Sequence, residues 1–236
     1  MAIKIVQGQP EKLYKEVIKI VDECFEGIWS AQDLKQLIEL PHENKLFMVA
    51  YDNEKPIGYA FLVADYIETL DVKIATIQEI GLLPSYRNSE VAGNFLENAI
   101  QFANTNKAEL LEQVVSTVDQ WLIPTLLKKN LKPSEIKADR EISSFNEAKV
   151  IIKSIRKNPK LNVIMNQLFF ESGNELEAQI IENEDDFNEL PRKDPIAFGS
   201  VISIEKTEDL DKILKELKKT SIEWDEIGIT FDYLLE

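Results

Sequence analysis

At 236 residues, with 44% hydrophobic and 29% charged side chains, the chain reads as a folded globular protein with length for one generous core or two modest ones. Its 27 basic against 42 acidic residues give a formal charge of -15, and both halves share it: 13 basic and 20 acidic up to Glu135, 14 and 22 beyond. Binding a phosphate backbone needs clustered Lys and Arg, and none stands out, so nucleic acid and anionic membrane are not expected as partners, whereas a cationic amine suits the charge.

Residues 2–7 predict a short strand, and Pro10 opens a helical stretch in which Leu13, Val17, Ile18, Val21 and Phe25 recur at helical spacing. Ser30 is the expected N-cap of a second helix over 31–40, which Pro41 stops. Segments 46–51 and 56–64 flank a tight turn at 52–55 and predict a hairpin; 72–83 is a long strand ending at Pro84. An amphipathic helix over 90–107 sends Val91, Phe95, Ile100 and Phe102 toward a core, with a strand at 110–117 and a short helix at 120–129 after it.

Beyond Pro133 the sequence predicts a charged connector, a helix over 145–156, apolar runs at 161–170 and 176–181, and an acidic loop over 182–194. A strand at 197–205, a helix at 209–219 and a strand at 227–234 close the chain, and no chemical motif falls in this part. Two domains are expected, 1–135 and a smaller α+β domain over 136–236. The single cysteine, Cys24, excludes an internal disulfide, and with no signal-peptide order at the N-terminus the expected location is cytoplasmic. No metal-ligand spacing is present, and no metal is predicted.

Ile77, Gln78, Glu79, Ile80, Gly81, Leu82, Leu83, Pro84, Ser85, Tyr86 and Arg87, followed by a helix with Phe95 and Leu96, resemble the acyl-CoA motif of the GCN5-related N-acetyltransferases (GNAT). The stretch Phe25, Glu26, Gly27, Ile28, Trp29, Ser30 and the hairpin with Lys55, Pro56, Ile57, Gly58 and Tyr59 extend the resemblance over roughly residues 3–135. It implies an α/β (α+β) GNAT fold, a mixed central sheet flanked by helices. In that family the fourth strand splays from the fifth and its freed backbone pairs with the pantetheine arm; here those groups belong to Ile80, Gly81 and Leu82. The pyrophosphate loop implied is Arg87, Asn88, Ser89, Glu90, Val91, Ala92 and Gly93. Glu90 stands where the family has its first Gly, and Leu126 where it often has a thiolate-protonating Tyr.

The resemblance implies an N-acyltransferase that moves an acetyl group from acetyl-CoA, its co-substrate, to a primary amine of a small molecule, protein N-terminus or lysine. Glu79 is the candidate general base, with an exposed strand-face carboxylate as the plain alternative and Gln78 on the opposite face. Tyr86 reads as packing, His42 as an exposed turn residue, Cys24 as a small core hydrophobe, and Trp29 and Trp121 as core or groove walls. Glu23, Glu26 and Asp33 suit either a cationic acceptor or a solvated face. Glu90 and Leu126 motivate the alternative of a catalytically impaired acyl-CoA-binding or protein-interaction module, and the C-terminal part is left open to capping the acceptor groove or forming a homodimer.

Overall fold

The computed structural model describes residues 3–25, 30–87, 89–117, 119–172, 175–183, 185–190 and 193–235. Two compact units emerge: the described residues of Met1–Val114, Asp119–Lys132 and Phe231–Glu236 form one, those of Val115–Val118 and Pro133–Thr230 the other.

The first unit carries β1 (Ile3–Gly8), α1 (Pro10–Val17), α2 (Val21–Cys24), α3 (Ala31–Glu39), β2 (Asn44–Asp52), β3 (Lys55–Ile67), β4 (Val72–Leu82), α4 (Val91–Thr105), β5 (Leu110–Ser116) and α5 (Ile123–Lys128). Strands β1 to β4 pair antiparallel in sequence order and β5 adds parallel to β4, which makes the sheet mixed. In β3 the residues from Ile57 to Ala64 are all buried, so helices cover both faces of that strand. The β2–β3 hairpin turns on Asn53 at φ 57, a left-handed position that Asn tolerates.

Several boundaries differ from the sequence reading. The first helical stretch breaks at residues 18–20, so that Val17, Ile20, Val21 and Cys24 are buried while Ile18 is 41% exposed. Helix α4 starts at Val91 rather than Glu90, and its buried face is Val91, Ala92, Phe95, Leu96, Ala99 and Ala103; the small alanines let it lie close, and Ile100 and Phe102 are only half-buried. The helix over 120–129 is one 3-10 turn followed by α5.

The second unit carries β6 (Lys132–Glu141), α6 (Phe145–Arg156), β7 (Val163–Ser172), β8 (Glu175–Ile180), β9 (Ala197–Ser203), α7 (Leu210–Lys218) and, up to Thr230, β10 (Glu226–Leu234). Its strands lie in the order β10–β6–β9–β7–β8, with β6 antiparallel to β9 and β7 antiparallel to β8 and β9. The predicted charged connector is strand β6, whose Pro133, Ile136 and Ala138 are buried between charged neighbours. Among the described residues no helix is long and apolar enough to cross a membrane.

Candidate functional site

The site is built where β4 leaves its parallel neighbour. Pairing with β5 runs from Ile74 opposite Leu110 to Ile77 opposite Gln113 and ends there, although β4 continues to Leu82. In an antiparallel pair alternate residues turn their N–H and C=O away from the partner. Part of the backbone over 78–82 is therefore presented on the side where β5 has departed.

At the same place β4 is bulged on its other side. Phe61 faces Glu79 and Leu62 faces Ile77, so Gln78 is the additional residue. The two-residue alternation changes phase across it: Ala75 and Ile77 are buried before the bulge, Ile80 and Leu82 after it. The alternative of an exposed strand-face carboxylate at Glu79, with Gln78 opposite by simple alternation, is thereby corrected. Glu79 is half-buried. Burial first, and the Asp119 carboxylate second, push its carboxyl up to about 8, against a hydrogen bond from the backbone N–H of Ile80. A carboxyl held near 8 suits exchange of a proton with an amine better than an ordinary glutamate does.

The three β4 residues expected along the acyl arm, Ile80, Gly81 and Leu82, are buried and face Ala60, Tyr59 and Gly58 of β3. A Cβ on Gly81 would stand 2.7 Å from Tyr59 Cε1 and 3.0 Å from Phe25 Cε2. Tyr59 stacks on Phe47 with centroids 5.7 Å apart, so neither ring is free to yield.

Beyond β4 a short 3-10 turn leads to Arg87 and the start of α4. The Arg87 guanidinium donates through Nη2 to the Cys24 carbonyl at 2.7 Å and lies 5.5 Å from the Trp121 ring centroid. Trp121 Nε1 in turn donates to Asp119 at 3.3 Å. Ser89 Oγ donates to the Tyr86 carbonyl at 2.5 Å, and the Val91 N–H reaches Ser89 Oγ at 3.4 Å. Among the described residues the first bond into α4 is Asn94 N–H to Glu90 O, and the amide of Gly93 lies at the helix start ahead of it. Glu90 occupies the N-cap, makes no side-chain cap bond and is exposed. Asn88, Glu26 and Trp29 lie outside the described residues.

Arg87, Ser89, Gly93, Trp121, Lys128 and Lys129 are among the residues around a groove of about 420 Å³ between the start of α4 and α5. The two lysines escaped the sequence reading; the signal was a basic pair ending a short helix in an otherwise acidic chain. The effect of the Asp119 carboxylate on Glu79 becomes visible only in the fold. Leu126, in the family's Tyr position, is fully buried and offers no proton.

Other candidates fall away from this place. The Tyr86 hydroxyl donates to Asp52 at 2.8 Å, on the β2–β3 turn. His42 is not an exposed turn residue as expected: its side chain is 13% exposed and its Nδ1 lies 2.6 Å from Asp65. Cys24 is buried, and burial pushes its thiol up to about 12, so it is no thiolate at neutral pH. Among the described residues no group of three or more His, Cys, Asp or Glu is placed to hold a metal ion.

A parallel strand pair parts beside the half-buried Glu79 carboxyl, and a helix start follows it. Residues 14–123 match the model of the acetyltransferase (GNAT) family, and this stretch of the chain is a GNAT acetyltransferase domain. Similar solved structures include the acetyltransferase of the GNAT family from Streptococcus pneumoniae, at 19% identity over 62% of this chain and 92% of that one, TM-score 0.45. AAC(6')-Iy in complex with the bisubstrate analogue CoA-S-monomethyl-acetylneamine aligns at 15% identity over 54% of this chain and 89% of that one, TM-score 0.44. The aminoglycoside 6'-N-acetyltransferase AAC(6')-Ih from Acinetobacter baumannii aligns at 17% identity over 54% and 88%, TM-score 0.42. No curated protein matches the sequence.

Proposed function

We propose that the first unit binds acetyl-CoA and transfers its acetyl group directly to a primary amine. The observation that carries this reading is the β4–β5 ladder ending at Ile77 and Gln113, two residues before Glu79 and its raised carboxyl. Acetyl-CoA supplies an acetyl thioester, an acyl donor that an amine attacks without a covalent enzyme intermediate. The residues present fit it: the β4 backbone over 80–82 for the acyl arm, and the amides of Ala92 and Gly93 with Arg87 and Ser89 for the pyrophosphate. Glu79 takes the proton that the amine loses, and a β4 amide polarises the carbonyl. Holding both reactants in one groove supplies much of the rate, since orientation alone is worth several kcal/mol, on the order of 7–11 in favourable cases.

Buried Leu126 favours a second reading, in which the domain binds an acyl-CoA without turnover, because no tyrosine meets the leaving thiolate. A thiolate leaves without help more readily than an alkoxide, its thiol having a pKa of roughly 8.5. Titration calorimetry with acetyl-CoA, paired with a thiol-release assay over a panel of primary amines, tests both. Binding with amine-dependent thiol release that Glu79→Gln lowers ~100-fold or more supports transfer. Binding without release supports the second reading, and no heat at millimolar acetyl-CoA removes both.

A further inference from the structure

We propose that Lys129 is a phosphate-binding residue of this groove and that Glu97 competes with the ligand for it; the inference rests on the acetyl-CoA reading above. The loop itself is poorly equipped to hold a polyanion. Glu90 places an exposed carboxylate at the helix start, and one Arg87 nitrogen is committed to the Cys24 carbonyl. Across the groove α5 ends in Lys128 and Lys129. A Cβ on Gly93 would lie 3.4 Å from Lys129 Cε and 4.0 Å from its Nζ, so the ammonium lies beside the first turn of α4.

Lys129 is bound there by the carboxylate of Glu97, which is four residues beyond Gly93 and so on the same face of α4. Both partners are partly exposed, at 26% for Lys129 and 57% for Glu97, and such a pair is easily exchanged. An incoming phosphate offers the ammonium a more highly charged acceptor in the same place. The groove holds three cations, Arg87, Lys128 and Lys129, against the carboxylates of Glu90 and Glu97, in a chain whose formal charge is -15. It is locally cationic where the molecule as a whole is not. The position of Lys129 thus offsets the carboxylate that Glu90 brings to the loop.

The test exploits the two ends of one ion pair. If the pair merely braces α4 against α5, Lys129→Met and Glu97→Gln weaken CoA binding alike or leave it unchanged. If Lys129 serves the phosphates, the two move in opposite directions. Titration calorimetry with CoA at fixed ionic strength should show Lys129→Met weaker by about tenfold, Lys129→Arg close to wild type, and Glu97→Gln tighter by a few-fold. The salt dependence of affinity should also be shallower in Lys129→Met than in wild type. Wild-type binding with Lys129→Met inside twofold of it, or with both variants shifted the same way, overturns this inference alone. Failure of the wild type to bind CoA overturns the acetyl-CoA reading together with it. Melting curves on each variant exclude an effect of folding.

Discussion

Glu79, the base proposed above, lies in surroundings that disfavour its own charge, and that tension has a measurable signature. Its carboxyl rises from 4.5 to about 8 on folding, so between those values the folded protein binds a proton that the unfolded chain has lost. Stability from this group is therefore fully present below about pH 4.5 and declines as pH rises to about 8, by ~1–3 kcal/mol in all given its half-burial. Glu79→Gln should flatten that slope in denaturant titrations across the range. Activity should run the other way, since only the ionised form is a base: with an acceptor amine that titrates well below 8, kcat/KM should climb to a plateau above about pH 8 in wild type. The same climb in Glu79→Gln would take the base away from this residue. The position of Glu79 was legible from its neighbours in the sequence. Its burial was not, because a two-residue alternation cannot register the extra residue Gln78, and the Asp119 carboxylate that sharpens the shift lies 40 residues further along the chain.

At the scale of elements, legibility followed how locally each element is specified. Helix α3 carries its start signal within four residues: Ser30 Oγ accepts from the Asp33 N–H at 3.2 Å, and the Asp33 carboxylate accepts from the Ser30 N–H at 2.8 Å. The Ser30 hydroxyl also donates to the Asp33 carboxylate at 2.5 Å, and this bond first, with the Ser30 N–H second, holds the Asp33 carboxyl below its usual value. Ser30→Ala leaves the Asp33 amide without that acceptor and should cost ~1 kcal/mol by thermal or denaturant melting, against a few tenths for Ser30→Gly. Equal losses for both substitutions would show that the side-chain oxygen is not what starts the helix. Strand β6 is the opposite case, since its sequence is mostly charged and begins next to a proline; pairing with β9 is what places Ile136 and Ala138 together on a buried face. The break between α1 and α2 likewise has no glycine or proline to announce it, and comes from seating Ile20, Val21 and Cys24 together in the core. The parting of β4 from β5 is tertiary too: the residues said where a strand runs, and only the register says where it stops pairing.

For the whole molecule, the formal charge of -15 and the cationic groove act at different distances. Far from the surface an anionic cofactor meets the summed field of an acidic protein, which repels it, while a protonated amine is drawn in. Inside the groove the nearby ammonium and guanidinium groups outweigh that field, and they are less screened than charges in open solvent. Approach and retention therefore respond to different charges. Raising salt from about 10 to 150 mM shortens the screening length from ~30 to ~8 Å, removing the long-range part first. Stopped-flow traces of tryptophan fluorescence, with Trp121 beside the groove, should show acetyl-CoA associating faster over that range and a cationic amine associating more slowly. Dissociation of acetyl-CoA should quicken modestly, since the contacts proposed with Arg87 and Lys129 are only partly shielded from solvent. Slower association of acetyl-CoA with added salt would mean that the groove's three cations command the approach as well, and that the acidity of the chain does not steer its ligands.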